Sequence, residues 1–240
     1  MGRLVLLHGF TQTSRSFDPL RAALPAGLEV VAPDLPGHGP DPALPQGPWA
    51  DAAALARRCG RGTWLGYSMG GRLALHVALA HPEVVERLVL VSTTAGIDGA
   101  ADRAARRAAD EELAGAVEAG GVAAFVERWL AQPLLAGLPA GAAGRQDRLR
   151  NTATGLAAAL RLLGAGAQEA LWGRLGELAV PVAAVAGERD HRYVALARRL
   201  AAAAGPGATV TVVPGAGHAC HLEDPAAVAA VAAPAPGRAG

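Results

Sequence analysis

Six short runs are apolar at nearly every position rather than at alternate ones: Arg3–Leu7, Leu28–Ala32, Thr63–Gly66, Arg87–Ser92, Val182–Ala186 and Thr209–Val213. A strand buried on one face alternates, whereas a strand buried on both faces reads as a continuous apolar run. The six runs therefore predict strands of a sheet covered by helices on either side. Helical spacing fills the intervals, notably Met69–Ala80, Arg192–Ala203 and Asp224–Ala232. Strand and helix in alternation predict an α/β chain with right-handed crossovers and a doubly wound, mostly parallel sheet.

Between Ala95 and about Gly176 the strand pattern stops. An Ala/Arg/Glu-rich stretch with helical spacing replaces it, broken at Gly120-Gly121, at Gln132-Pro133 and over Gly137–Gly144. The expectation is a helical cap over residues 95–176, inserted at the C-terminal edge of the sheet, where ligands of open α/β sheets bind. The core is then built from 1–94 and 177–233, and the Pro/Gly-rich stretch 234–240 reads as a disordered tail.

Composition narrows the function classes. A chain of 240 residues, 51% hydrophobic, can bury a full core in one domain. Its formal charge is +1, and no basic run stands out. Neither nucleic acid nor an anionic membrane surface is expected as a partner; a small molecule is. The opening apolar run, Leu4 to Leu7, is too short to span a membrane or to serve as a signal peptide, so a cytoplasmic location is expected. Cys59 and Cys220 lack the paired spacing of a zinc or redox site and read as two ordinary thiols. Patterning leaves the oligomeric state open.

Gly66-Tyr67-Ser68-Met69-Gly70 has the G-x-S-x-G pattern, directly after a predicted strand and before a predicted helix. Glycines permit a sharp strand-to-helix turn that lifts the Ser68 hydroxyl clear of the sheet. The same turn aims the Met69 N–H and the helix N-terminus at the space beside it. His8-Gly9-Phe10, closing the first strand, fits the loop that supplies a second oxyanion donor, the Phe10 N–H. A base must reach the serine and be held by a third group. His218 follows the last strand and Asp190 the one before, which completes the order Ser, Asp, His. His221 is the rival base and Glu188 the fallback acid. His8 and His38 read as loop-organising residues without a catalytic role.

With these motifs the chain resembles the α/β-hydrolase superfamily. It is also similar, over nearly its whole length, to the menaquinone-pathway 2-succinyl-6-hydroxy-2,4-cyclohexadiene-1-carboxylate synthase family. The stretches carrying the second resemblance are Leu7–Phe10, Asp34–Gly39, Gly66–Leu75, Ala104–Asp110, Trp129–Leu134, Asn151–Leu162, Gln168–Leu175 and Gly215–Glu223. An arginine at position 72, on the first turn after the elbow, puts fixed charge where a small apolar residue would pack; it suits a substrate bearing carboxylates. Arg106 and Arg150 look similar to the family's other carboxylate-binding arginines, with Arg148 in place of Arg150 if the register slips. Tyr67 and Trp129 resemble its pocket residues.

The resemblance implies a lyase that eliminates pyruvate from an anionic substrate, with Ser68 as proton acceptor and neither metal nor cofactor. A serine carboxylesterase acting through an acyl-enzyme is the alternative, and a non-catalytic binding protein a remoter one. The chain departs from the family at His191-Arg192-Tyr193 and in the Pro/Ala-rich segment Pro40–Gly60.

Overall fold

Six strands form one sheet: β1 (Arg3–Leu7), β2 (Glu29–Val31), β3 (Gly62–Tyr67), β4 (Val85–Val91), β5 (Val182–Gly187) and β6 (Thr209–Val213). The computed structural model describes residues 2–40, 42–135 and 137–233; the expected tail at 234–240 lies outside them. The strand order is β2-β1-β3-β4-β5-β6, and every neighbouring pair is parallel. All six expected strands are present, with β3 and β4 beginning earlier and β2 shorter than their apolar runs. From β1 the chain steps to β2 on one side and then to β3 on the other. The order thus reverses between β1 and β3, and a crevice opens at their C-terminal ends.

Side chains alternate between two cores. Val5 and Leu7 of β1, Trp64 of β3, and Leu88 and Leu90 of β4 pack on one face with α2 (Pro48–Cys59), α3 (Met69–Ala80) and α7 (His191–Ala204). Leu4, Leu6, Leu65, Val89 and Val91 pack on the other with Phe17, with Leu20 of α1 (Asp18–Ala23) and with Val228 of α9 (Pro225–Ala232). Because both faces of the central strands are covered, polar side chains there would be costly and their runs carry no alternation, whereas the edge strands β2 and β6 are partly exposed and admit Glu29, Thr209 and Thr211. Each fully buried leucine contributes about 2 kcal/mol of transfer free energy.

Helix α2 lies in the Pro/Ala-rich segment that gave no helical signal. Pro48 occupies the first turn, where no N–H is needed, and Gly60 ends the helix at φ 69°.

Between β4 and β5 lie α4 (Ala100–Leu130), α5 (Arg145–Arg148) and α6 (Ala153–Leu163), with no strand among the described residues. Helix α4 kinks at Gly121 (φ 74°, ψ 168°) and stops before Gln132-Pro133. Ala114, Val117 and Phe125 of α4 meet Leu156, Ala157 and Leu160 of α6 in a small core of their own. Further on, Leu171 and Leu175 have already rejoined the sheet's core, so the end of the 95–176 stretch packs with the sheet.

Candidate active site

Ser68 lies between β3 and α3 with φ 51° and ψ −108°, a strained conformation for a residue with a side chain. The strain is enforced by close packing around the turn. A Cβ on Gly66 would lie 2.4 Å from Gly70 O, and one on Gly70 would lie 2.1 Å from Leu7 O. Backbones approach so closely here that only glycine fits. Thr93 Oγ1 donates to Ser68 O (2.7 Å), and Ser68 N–H donates to Val91 O (2.9 Å), which ties the elbow to the end of β4.

Asp190 begins α7, where its Oδ1 accepts the Tyr193 N–H (3.2 Å). Its Oδ2 lies 2.7 Å from His218 Nδ1, and His218 Nε2 lies 3.4 Å from Ser68 Oγ. Asp190 and His218 are both buried. They meet because the end of β5 touches the loop that follows β6: a Cβ on Gly187 would fall 2.1 Å from Gly217 O. Glu223 Oε2 accepts the Gly217 N–H (2.9 Å) and steadies the His218 loop, while the Tyr193 ring lies edge-on to His218 at 4.4 Å. Sequence residues 68, 190 and 218 thus form one hydrogen-bonded line.

The alternatives are placed elsewhere. Glu188 is exposed and accepts the Gly215 N–H (2.8 Å). His221 lies behind Tyr67 at 4.0 Å, and Gln12 Nε2 donates to its Nε2 (3.3 Å); burial pushes its pKa down to about 3. His8 Nε2 accepts the Leu35 N–H (3.0 Å), and His38 Nε2 accepts the Thr11 N–H (3.3 Å). Burial lowers these two pKa values to about 4 and 3, so both are neutral acceptors that fasten loops.

A cavity of about 550 Å³ opens over Ser68, lined by Phe10, Met69, Tyr67, Trp129 and the arginines at 72, 106 and 148. Among the described residues the N–H groups of Phe10 and Met69 have no hydrogen-bond acceptor, and both belong to this wall. Arg72, only 9% exposed, donates from Nε to Gln168 Oε1 (3.0 Å) and from Nη2 to Leu163 O (2.5 Å). Both partners are neutral, and burial lowers its pKa to about 10, so it stays charged at neutral pH. Arg148, 3% exposed, donates to Ala143 O (2.8 Å), Phe10 O (3.4 Å) and Thr11 Oγ1. Among the described residues neither guanidinium has a carboxylate within ion-pair distance. Arg106 is more open and pairs with Asp110 (2.8 Å).

Arg150 does not reach the cavity; it is exposed and pairs with Asp147 (3.3 Å). Arg148, two residues earlier, takes the inner position. In a helix of one turn there is no periodicity to tell the two apart. Gln168, Gln12 and Asn151 also went unread as site residues, since single buried amides in loops leave no pattern in a sequence.

The alpha/beta hydrolase family profile matches residues 4–231. The chain belongs to this family. Within the α/β hydrolases, a Salmonella heidelberg (strain SL476) protein named 2-succinyl-6-hydroxy-2,4-cyclohexadiene-1-carboxylate synthase is 34% identical, covering 94% of this chain and 90% of its own. The solved structure of MenH from S. aureus superposes with a TM-score of 0.90 at 32% identity, over 96% of this chain and 91% of that one. A malate-bound thermophilic esterase from Thermogutta terrifontis superposes at 0.81 with 25% identity, over 96% of this chain and 88% of its own. The α/β-hydrolase scaffold therefore accounts for the sheet and the elbow, and the chemistry has to be read from the cavity wall.

Proposed function

We propose that this α/β hydrolase is a lyase of menaquinone biosynthesis. In this reading it eliminates pyruvate from a succinyl, enolpyruvyl-substituted cyclohexene carboxylate to give 2-succinyl-6-hydroxy-2,4-cyclohexadiene-1-carboxylate. The observation that carries the reading is the pair of buried guanidiniums, Arg72 and Arg148, facing the cavity without a carboxylate partner. Burying an uncompensated charge costs several kcal/mol, a cost that an anionic substrate offsets on binding. Arginine forks suit carboxylates, and Arg106 stands at the same wall for a further one. Similarity to relatives named for this activity supports the choice.

In the proposed mechanism His218, oriented by Asp190, accepts the Ser68 proton, and Ser68 Oγ removes the proton next to the succinyl ketone. The electron pair of that C–H bond forms a ring double bond to the next carbon, the ring's existing double bond shifts one position along, and the C–O bond to the enolpyruvyl group breaks. Pyruvate leaves as its enolate and takes up a proton. Charge developing on the ketone oxygen meets the N–H groups of Phe10 and Met69; loss of one such donor typically costs about 3–4 kcal/mol of barrier. This chemistry calls for no metal or cofactor, and the reading is of a cytoplasmic enzyme acting on a small anionic molecule.

An acyl-enzyme hydrolase would use the same serine, and the likeness to the malate-bound esterase favours it as the second reading. A coupled assay for pyruvate decides between them. The lyase reading expects stoichiometric pyruvate from the wild type and none from Ser68→Ala. Aryl esters turned over with a pre-steady-state burst, together with no pyruvate, would overturn it.

A further inference from the structure

The loop after β1, which presents the Phe10 N–H, is fastened by the cap. Thr13 Oγ1 donates to Asp147 Oδ2 (2.6 Å), and Arg148 donates to Phe10 O and Thr11 Oγ1. Asn151 is buried and uses its whole amide. Its Nδ2 donates to Thr11 O (2.7 Å) and Arg148 O (2.8 Å), and its Oδ1 accepts the Gly39 N–H (2.8 Å). Thr11 has φ 65°, a left-handed conformation that a β-branched residue keeps only when its surroundings over-determine it.

These bonds form a relay of peptide planes. Asn151 holds the carbonyl of the Thr11–Gln12 peptide, whose N–H on the opposite edge donates to Gly9 O (3.2 Å). Gly9 O in turn belongs to the Gly9–Phe10 peptide, and His8 Nδ1 donates to the same oxygen (2.9 Å). A trans peptide points its N–H opposite its carbonyl. Fixing Gly9 O therefore fixes the direction of the N–H of Phe10, a residue of the cavity wall. Asn151 itself does not line that cavity.

We propose that Asn151 is a positioning residue: from the cap, it sets the orientation of the Phe10 N–H. This rests on the reading of the Phe10 N–H as an oxyanion donor.

The test pairs two variants with two readouts. Asn151→Ala removes every bond of the amide, while Asn151→Asp keeps an acceptor for Gly39 and deletes the bonds donated to Thr11 O and Arg148 O. Both are expected to lower kcat for pyruvate release about tenfold to a hundredfold while KM moves less than about twofold. The second readout is independent of the pathway substrate. Phenylboronic acid bonds through boron to Ser68 Oγ, the serine proton passes to His218, and a boronate oxygen sits where the oxyanion would. Its affinity is expected to fall about tenfold in both variants, with succinate affinity within about twofold of wild type. Boronate affinity unchanged in Asn151→Asp overturns the proposal, as does equal loss of boronate and succinate binding. If the wild type releases no pyruvate but the boronate effect is present, the lyase reading fails and the positioning role stands.

Discussion

Exposed arginines on the outside of the cap and the two buried arginines of the cavity wall are held in opposite ways. Arg161, on the outer face of α6, donates to Glu118 and Glu111 at 2.6 to 3.1 Å, and these carboxylates hold its pKa above the ordinary arginine value. Arg145 and Arg174 are paired to glutamates in the same exposed fashion. Arg72 and Arg148 are buried and have only neutral oxygens as partners. Where water already solvates Arg145, Arg161 and Arg174, the chain supplies a counterion; where water is excluded, at Arg72 and Arg148, none is present among the described residues. Stability alone would favour the reverse arrangement, so the inner pair marks the place where an anion from outside completes the structure.

Replacing Arg72 by methionine is the largest expected break in this contrast. The apolar side chain fills the space without the charge. We expect kcat/KM for the anionic substrate to fall about 30- to 1000-fold, equivalent to about 2–4 kcal/mol, with turnover of a neutral aryl ester nearly unchanged. Melting temperature should stay within about 3 °C, because relief of the buried charge offsets the hydrogen bonds lost at Gln168 and Leu163. Equal losses on both substrates would remove the argument for a carboxylate anchor.

A second effect concerns buried groups that stay neutral. His8, His38, His76 and His221 have pKa values lowered by burial to about 4, 3, 4 and 3. In the unfolded chain each takes a proton near pH 6.5, so below that pH the unfolded state binds more protons than the folded one. Their contribution is complete above about pH 6.5 and is lost as pH falls toward 4, at up to about 1.4 kcal/mol per pH unit for each histidine. Urea titrations from pH 7.5 to 4.5 should show this decline, and His76→Gln should flatten it by one proton. A pH-independent midpoint across that range would contradict the neutral assignment.

The smallest effect belongs to the outer arginines. Arg161→Ala should move the melting temperature by no more than about 2 °C and leave activity unaltered, since exposed pairs are screened and entropically costly. A large activity loss there would dissolve the distinction between inner and outer arginines.

The legible parts of this chain were those where one physical demand acts on many residues at once. Burial on both faces printed β1, β3, β4 and β5 into the sequence as apolar runs. Steric crowding at the elbow printed Gly66 and Gly70. The spacing of strand ends brought Ser68, Asp190 and His218 within reach as candidates, and the structure sets them in one line. Helix α2 leaves no helical signal in the sequence because its alanines and prolines resemble the background composition. The sequence does not rank Arg148 above Arg150, because a one-turn helix and its exit offer no period to choose between neighbours. Asn151 and Gln168 act through single hydrogen bonds to distant backbone or side-chain atoms, and such bonds exist only once the chain is folded.

The insertion between Val91 and Val182 also has a consequence for how the chain folds. Strand β4 acquires its neighbour β5 only after the whole cap has been synthesised, so its apolar edge is open while the ribosome makes α4 to α6. Closing the longer loop adds little entropy, because the cost grows only with the logarithm of length. The hazard is kinetic: an unpaired hydrophobic edge invites association with other chains during that interval. The contacts between α4 and α6 are local enough to form early and are well placed to shield the growing chain.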